Sequence, residues 1–365
     1  MQIKMIKSIH NQFFLYLNLL FALILVGCAG TPQTQDVSTK AVFYPPSPDL
    51  PRIQFLKSYS GEIDLEAENK SQFAEFILGS ETEPKPSLNK PYGVALRDNK
   101  LYAVDTRGNG YVVFDLLLKQ FHLVSGMQKP INITIDEEGN KYVTDTMLNE
   151  IAVFDANDER VMTFGSNGEY KPSDVAVLDN KLFVADLLHN QIQVLDKATG
   201  QKIYTIAEGG SGKGKLYHPT NLAITGNDDI LVSDTSNFRV AEFTQDGRYV
   251  GQLGEIGTSL GKFARPKGIA VDREGRIYVV DAAFESIQVF NPDGQLLMFF
   301  GGSGVGPGQL DLPTDIYIDY TSVPYFQQYA EPGFKLEYLI LVANQFGPNK
   351  INVYGFGKMQ GMAYP

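Results

Sequence analysis

The chain repeats one pattern six times, at intervals of about 45 residues. The repeats align on six prolines that are separated by 39, 42, 47, 47 and 47 residues. These marker prolines are Pro91, Pro130, Pro172, Pro219, Pro266 and Pro313. A regular period of this length is typical of architectures in which each unit packs against its neighbours. The length of 365 residues alone would predict about two domains, and the repeat overrides that estimate.

Each repeat contains short segments in which apolar and polar residues alternate, as in β-strands. In the fifth repeat the first segment runs from Gly268 to Asp272 and the second from Arg276 to Asp281. The second segment ends in aspartate in five repeats, at Asp105, Asp145, Asp186, Asp234 and Asp281. Such aspartates most simply accept hydrogen bonds from the backbone of the following turn. Four strands per repeat, with turn residues between them, predict an all-β fold, a six-bladed β-propeller.

The sixth repeat lacks a fourth strand, because the chain ends soon after residue 354. Residues 50–61 show the same alternation and end in glycine. We therefore predict that this N-terminal segment pairs with residues 351–354 and closes the last blade, which leaves no long exposed edge.

The remaining boundaries follow from the repeat. The propeller is expected to span residues 90–357, with a tail over 358–365. Residues 62–89 are expected to form a linker that could include a short helix over 65–78.

The first 27 residues have the pattern of an export signal. Lys4 and Lys7 precede an apolar run over residues 13–26, which is shorter than the roughly 20 residues that span a bilayer. The four residues that end at Cys28, Leu-Val-Gly-Cys, resemble the lipobox of bacterial lipoproteins. That resemblance implies cleavage before Cys28 and acyl chains on its sulfur and its new amino group, a lasting membrane anchor.

Several expectations about location and partners follow. Ala29 stands where aspartate would favour the inner membrane, so the resemblance implies the outer membrane, with the propeller in the periplasm or at the cell surface. Residues 28–49 are rich in Pro, Gln, Thr and Ser, and we expect a flexible tether there. The net charge of −11 disfavours nucleic acid as a partner. The propeller is expected to be monomeric.

The repeats also resemble those of the NHL-repeat family, whose members form six-bladed propellers. The resemblance is strong over residues 90–302 and looser over 312–356. It is clearest from Arg265 to Asp281 and from Asp234 to Arg239. It implies the fold and says little about function, because such propellers serve as enzymes, ligand sensors and scaffolds.

The position two residues after each marker proline should lie at the mouth of the central channel. Four repeats place an oxygen-bearing side chain there, namely Asn132, Asp174, Asn221 and Asp315, and the other two place Gly93 and Gly268. A ring of carboxylates and amides could hold Ca²⁺. It would resemble the site of metal-dependent lactonase-type propellers. The alternative is that Asn and Asp simply suit the turn that enters the first strand.

Zinc and nucleotide sites are not expected. His189 and His218 lie in loops of the third and fourth repeats and could approach each other at the channel mouth. The amidating-lyase propellers of this fold use three histidines for zinc, and that set is not matched here. The glycine-rich stretch 209–215 is followed by Leu216 where a phosphate loop has Ser or Thr.

The sixth repeat contains an insertion over residues 320–337 that the other repeats lack. Its aromatic residues are Tyr320, Tyr325, Phe326, Tyr329 and Phe334. Aromatic loops are candidate contact surfaces for a partner. An equally open alternative is a loop that folds over the propeller base and covers its own apolar residues.

The sequence favours a lipid-anchored propeller of the bacterial cell envelope that binds an envelope protein or a small ligand as a scaffold. The alternative is a metal-dependent hydrolase or lyase, lactonase-like or lyase-like, with a divalent cation at the channel mouth. A sensor of a sugar or peptide is a third hypothesis. No catalytic residue and no cofactor is assigned beyond the calcium hypothesis.

Overall fold

The computed structural model describes residues 41–66, 85–165 and 167–364. Two strands precede the blades, β1 (Phe43–Tyr44) and β2 (Ile53–Tyr59). Blade one contains β3 (Pro91–Arg97), β4 (Lys100–Asp105), β5 (Gly110–Asp115) and β6 (Gln120–Ser125). Blade two contains β7 (Pro130–Ile135), β8 (Lys141–Asp145), β9 (Glu150–Phe154) and β10 (Arg160–Gly165). Blade three contains β11 (Pro172–Leu178), β12 (Lys181–Asp186), β13 (Gln191–Asp196) and β14 (Lys202–Ile206).

The second half of the ring follows the same plan after a two-residue pair, β15 (Glu208–Gly209) and β16 (Lys215–Leu216). Blade four contains β17 (Pro219–Ile224), β18 (Ile230–Asp234), β19 (Arg239–Phe243) and β20 (Tyr249–Leu253). Blade five contains β21 (Pro266–Val271), β22 (Ile277–Asp281), β23 (Ser286–Phe290) and β24 (Leu296–Gly301). Blade six contains β25 (Pro313–Asp319), β26 (Phe334–Asn344) and β27 (Ile351–Met359).

Short helical segments are few in the described residues. One α-helix, α1 (Val323–Phe326), and a 3₁₀ turn over Gln327–Tyr329 lie between β25 and β26. Two further 3₁₀ turns cover Glu62–Leu65 and Thr235–Asn237. Among the described residues, no helix has the length and apolar character needed to cross a membrane.

The six sheets form a closed ring. The strand that follows each marker proline is innermost in its blade, and each of these strands contacts the innermost strands of both neighbouring blades, β25 contacting β3. Within a blade, successive strands pair antiparallel. The predicted six-bladed β-propeller is therefore confirmed.

The core of the protein is divided between the blades. Six hydrophobic clusters lie one at each blade interface. Between blades one and two, Tyr111 packs edge-on against Phe154 at 5.2 Å between ring centroids, and its hydroxyl donates to Asp158 at 2.8 Å. Fully burying one such apolar side chain stabilises the fold by about 1.5–3 kcal/mol. Middle strands are buried on both faces, while the outermost strands, such as β10, are mostly exposed.

The last blade is closed by the N-terminal strand. β2 pairs antiparallel with β27, in a register that runs from Ile53 opposite Phe356 to Tyr59 opposite Ile351. Ile53 packs into the cluster between blades five and six, and Tyr59 into the cluster between blades six and one. The prediction that an N-terminal strand completes this blade is confirmed, because the alternating side chains serve both interfaces.

The predicted tether over residues 28–49 is wrong at its C-terminal end. β1 pairs with β2 as a fifth strand of blade six, with Phe43 opposite Gln54 and Tyr44 opposite Ile53. The Tyr44 hydroxyl donates to the Gly308 carbonyl at 2.9 Å. These aromatic residues add apolar contacts that a Pro- and Ser-rich composition does not suggest.

The structure describes only some of the segments for which terminal predictions were made. The export signal 1–27, Cys28 and most of the helix expected over 65–78 lie outside the described residues. At the C-terminus, β27 continues to Met359, two residues into the predicted tail. The Tyr364 hydroxyl then donates to the Pro51 carbonyl at 2.9 Å, which fastens the tail to the start of β2.

Candidate functional site

The position two residues after each marker proline forms a ring around the channel. Each innermost strand carries this position near its first residue, so the six blades bring their side chains to one level. All four oxygen-bearing residues of the ring are at most 6% exposed. The ring residues are Gly93, Asn132, Asp174, Asn221, Gly268 and Asp315, as the marker spacing predicts.

Both aspartates of the ring connect neighbouring blades through hydrogen bonds. In blade three, Asp174 Oδ2 accepts from the backbone N–H of Leu222 in blade four at 2.8 Å, and Oδ1 accepts from Val175 N–H at 2.7 Å. In blade six, Asp315 Oδ2 accepts from the N–H of Val94 in blade one at 3.0 Å. These carboxyl groups therefore satisfy backbone donors that would otherwise be buried without partners.

Burial shifts the titration of both acids. It raises the pKa of Asp174 well above its usual value, and the nearby charge of Asp315 acts in the same direction. Burial also raises the pKa of Asp315, to about 7, against the opposing effect of hydrogen bonds from Val94, Ile316 and Asn221. Removing a carboxylate from water disfavours its charged form, and the hydrogen-bond donors recover only part of that cost. Both groups therefore hold a proton to a higher pH than an exposed aspartate.

The ring is crowded where it passes the glycines. A Cβ atom added to Gly93 would lie 2.1 Å from Asn132 Oδ1, and one added to Gly268 would lie 2.6 Å from the Asp315 Cα. The Asn221 amide donates to Asp315 Oδ1 at 3.3 Å, passing over the glycine of blade five. The ring therefore constricts the channel.

A cavity of about 250 Å³ lies on the inner side of this constriction. Its lining begins at the ring, with Asn132, Asp174 and Asp315, and continues along the innermost strands. No residue that precedes the ring in its strand lines this cavity.

The ring does not offer the oxygens that Ca²⁺ requires. Calcium takes six to eight oxygen ligands in proteins. Of the six side-chain oxygens here, five already accept hydrogen bonds, and the one without a partner is Asn221 Oδ1. Among the described residues, no group of three or more His, Cys, Asp or Glu side chains could hold a metal ion. The residues present therefore fit the alternative interpretation of the ring better than the calcium hypothesis.

The two loop histidines lie in neighbouring loops, and the His189 ring pairs with an aspartate. His189 Nδ1 is 2.6 Å from Asp186 Oδ2. The backbone N–H of His218 donates to the side chain of Asn190 at 2.7 Å, which brings the two loops together. Burial lowers the pKa of His218, and the charges of Lys267, Arg265 and Lys171 lower it further.

The strand-end aspartates act as the sequence predicts. Asp105 Oδ1 accepts from the N–H groups of Arg107 and Gly108 in the following turn, at 3.0 and 3.1 Å. The same carboxylate also accepts from Asn89 and Lys90, which precede the first marker proline. These aspartates thus join the turn of their own strand to the entry of the innermost strand.

The aromatic insertion covers the propeller base. Phe326 and Phe334 are at most 1% exposed, and Tyr325 and Tyr329 pack against the same cluster between blades six and one. The hydroxyl of Tyr320 accepts from Arg273 N–H at 2.9 Å. The two phenylalanines are therefore unavailable as contact residues for a partner. The insertion therefore fits the second interpretation, a loop that covers its own apolar residues, because its rings pack into the interface between blades six and one.

Sequence reasoning missed a set of basic residues at the channel mouth. Five of the six residues that immediately precede the marker prolines are basic, namely Lys90, Lys129, Lys171, His218 and Arg265. The position after the marker proline is Ser or Thr in three blades, but it is Tyr92 in blade one and Lys267 in blade five. Aligning the repeats on their prolines and scanning for charge would have found this pattern.

Comparisons with known proteins indicate the same architecture. A protein-family model described as a 6-bladed beta-propeller matches residues 215–297. No curated protein matches the chain in sequence. Several solved structures match at low identity.

A gluconolactonase from Xanthomonas campestris is 14% identical, with a TM-score of 0.58 over 87% of this chain and 97% of the other. Virginiamycin B lyase from Staphylococcus aureus is 14% identical, with a TM-score of 0.51 over 73% of this chain and 95% of the other. An auxiliary nutrient binding protein from Bacteroides ovatus is 12% identical, with a TM-score of 0.56 over 73% of this chain and 69% of the other. What these proteins share with this chain is the propeller fold.

Proposed function

We propose that this protein is a lipid-anchored binding propeller of the bacterial cell envelope, which holds a ligand or partner at its channel mouth without converting it. The observation that carries the proposal is that the carboxyl groups of the ring are engaged in structural hydrogen bonds. Both Asp174 and Asp315 bond backbone N–H groups of the next blade, so these acids hold the mouth in shape. A rigid rim of loops on a closed ring is then available for recognition.

The location is part of this proposal. Acylation of Cys28 would tether the propeller to a membrane, with the outer membrane favoured over the inner by Ala29. The propeller would act as a monomer in the periplasm or at the cell surface.

A binding role has precedent on this fold. The nutrient binding protein of Bacteroides ovatus has a similar structure, and propellers of this kind host unrelated functions. The similarity supports the proposal, because a protein described as a nutrient binding protein contains a similar propeller.

A hydrolase or lyase is the second candidate, and the titration of Asp315 favours it. A carboxyl group with a pKa of about 7 can exchange protons near neutral pH, as a general acid or base must. The lyase and the gluconolactonase among the similar structures are consistent with such chemistry. In this candidate function Asp315 would transfer the proton.

One experiment separates the two functions. The full chain, extracted in neutral detergent, is screened by thermal shift against lactones, sugars, amino acids and organic acids, and each mixture is then analysed by mass spectrometry. A compound that raises the melting temperature and is recovered unchanged supports the binding function. A compound that is converted, with the conversion lost in Asp315→Asn, establishes the enzyme. If no compound shifts the melting temperature, the small-ligand form of the proposal fails.

The same screen tests for a metal. We expect no change in melting temperature with added calcium or with a chelator. A stabilisation by calcium that disappears in Asn221→Ala would overturn the interpretation of the ring as structural.

The anchor has its own test. Cells are labelled with an alkyne analogue of palmitate, and the protein is compared with a Cys28→Ser variant. Label on the parent chain and none on the variant supports lipidation, since the chain has one cysteine. An unlabelled parent chain excludes it.

A further inference from the structure

The channel mouth concentrates positive charge in an acidic protein. The chain carries 31 basic and 42 acidic residues, yet five of six blades place a basic residue directly before the marker proline. At four of these five positions the backbone is held by a strand-end aspartate, as in Lys171 N–H to Asp186 at 3.0 Å and Arg265 N–H to Asp281 at 3.1 Å, while His218 N–H donates to Asn190. The carboxylates are thereby turned toward the backbone.

Lys267 is the most unusual of these cations. It is 7% exposed, and among the described residues it has no acid partner and no hydrogen-bond acceptor for its ammonium group. The other buried lysine of the described chain, Lys141, donates to the Asp155 carbonyl at 2.6 Å and pairs with Asp158 at 2.8 Å. Its Nζ atom is not among the fully buried polar atoms of the described chain that lack a partner, so a largely buried side chain presents an unpaired cation to solvent at the channel mouth. A cation that is partly removed from water and left unpaired favours a partner that the chain does not supply.

Tyr92 completes the arrangement from across the mouth. The Lys267 Nζ atom of blade five lies 6.0 Å from the centre of the Tyr92 ring of blade one. Blade six lies between them, and its Thr314 hydroxyl donates to the Tyr92 carbonyl at 2.8 Å. In the blades with Ser or Thr at this position, the hydroxyl bonds neighbouring backbone or side chains, as Ser173 does to the Pro219 carbonyl at 3.0 Å. The Tyr92 hydroxyl has no such partner among the described residues. At this position blade one therefore has a free hydroxyl donor, Tyr92, and blade five a cation, Lys267, in place of a Ser or Thr that bonds the neighbouring chain.

The surrounding groups favour an anion at this place. The charges of Lys267, Arg265 and Lys171 each lower the pKa of His218, so positive charge from blades three and five acts on one group of blade four. The two acids beneath them, Asp174 and Asp315, have raised pKa values, which limits the negative charge at the ring. A cleft lined by one sign of charge attracts ions of the opposite sign.

We propose that the channel mouth binds a small organic anion, whose carboxylate or phosphate group pairs with Lys267 and Arg265 beside the Tyr92 ring. This inference rests on the proposed binding function and names the chemistry of its ligand. The anion is expected to be small, or to present a narrow end, because the ring constricts the channel directly below. The Tyr92 hydroxyl, which has no partner among the described residues, adds a hydrogen-bond donor beside these cations, whereas the Ser173 and Thr314 hydroxyls already donate to backbone carbonyls.

The test uses the full chain in neutral detergent at constant ionic strength. Citrate and inorganic phosphate are titrated by calorimetry in a zwitterionic buffer, with glucose as a neutral comparison. We expect one of the two anions to bind at a single site and glucose to bind more weakly. The citrate and phosphate arms decide which oxyanion group the site prefers.

Two variants locate the site. Lys267→Met keeps an unbranched side chain and removes the charge, and we expect it to weaken anion binding about ten- to a hundredfold, as loss of a charge-assisted hydrogen bond does. Arg265→Gln changes an exposed side chain that is safe for folding, and it should weaken binding by a smaller factor. Lys335→Met removes the same charge at the opposite end of blade six and should leave binding unchanged.

Each outcome bears on the inference. Binding that is weakened by Lys267→Met and Arg265→Gln but not by Lys335→Met supports it. Equal binding by all variants, or binding that scales only with net charge, overturns it. If glucose or another neutral compound binds and neither anion does, the anion inference fails while the binding function stands. If no compound binds at all, both fail.

Discussion

Asp315 Oδ2 in blade six accepts a 3.0 Å hydrogen bond from the backbone N–H of Val94 in blade one. This bond joins the last blade to the first at the level of the ring, close to the channel axis. Asp174 makes the equivalent bond to Leu222 between blades three and four. The propeller is thus held together by buried carboxyl groups next to the central channel and by β2 on the outer side of blade six.

This arrangement predicts how stability depends on pH. Folding raises the pKa of Asp315 from 3.8 to about 7, so the folded state binds more protons than the unfolded state between these values. The free energy of unfolding should therefore fall as pH rises from about 4 to about 7. Asp315→Asn keeps an oxygen acceptor for Val94 and should reduce this fall by about 2–4 kcal/mol. Urea denaturation of the parent and the variant at pH 4.5 and pH 8 measures this change in the free energy of unfolding.

The exposed Asp293→Asn in a surface turn is the matched control and should follow the parent protein. A fall that is as steep in Asp315→Asn as in the parent would contradict the assignment. Asp174 keeps part of the dependence in both variants, because its pKa is also raised.

The fold could be predicted from the sequence because the same signals recur in every repeat. The marker prolines fix where each innermost strand begins, and a fixed start with period-two alternation fixes which residues reach the ring. That is why Asn132, Asp174, Asn221 and Asp315 lie at one level, as predicted. The repeat does not predict which backbone N–H each carboxylate oxygen binds. The two residues of such a hydrogen bond lie in different blades, 48 residues apart for Asp174 and Leu222 and 221 apart for Asp315 and Val94.

The unrepeated segments were predicted less well. β1 contains two residues, too few to show alternation, and its strand pairing depends on β2 being placed first. The insertion could be recognised by its aromatic content, but the same content suits a partner surface and a buried cover. Tertiary packing decides between them, and Phe326 packs 6.4 Å from Tyr59, between ring centroids.

A second prediction concerns closure of the ring. Tyr59 at the end of β2 is fully buried and packs edge-on against Phe114 of blade one at 5.8 Å. Tyr59→Ala should lower the free energy of unfolding by about 3–5 kcal/mol, because it leaves a cavity between blades six and one. Tyr217→Ala, at a site that is 53% exposed, makes the same chemical change and should cost little. Equal melting temperatures for the two variants would show that β2 is dispensable.

A third prediction concerns the space at the ring. A methyl group on Gly93 would meet Asn132 Oδ1 at 2.1 Å and the Asn132 Cα at 2.7 Å, where backbone cannot yield easily. Gly93→Ala should therefore destabilise the protein by about 1–3 kcal/mol. Gly226→Ala has open space around the added methyl group and should be neutral or slightly stabilising. Thermal melts of both variants decide it, and a neutral Gly93→Ala would mean that the ring is looser than described.

The last prediction follows from the unpaired ammonium of Lys267. Burial lowers the pKa of this lysine from 10.5 to about 8, with a smaller contribution from Arg265. The unfolded state then binds more protons between these values, so the free energy of unfolding should rise with pH through this window. The rise attributable to Lys267 is at most about 3 kcal/mol, and Lys267→Met should lack it.

The comparison requires a buffer free of phosphate and carboxylate, because a bound anion would raise the pKa again. The Tyr92 ring and the charge of Arg265 act on this position in the parent and in the variant, so the difference between the two stability curves isolates the one lysine. At pH 7 the variant should be at least as stable as the parent, because it no longer buries an unpaired charge. Curves that stay parallel from pH 7.5 to 10.5 would mean that Lys267 is solvated, and the reason for placing an anion beside it would be lost.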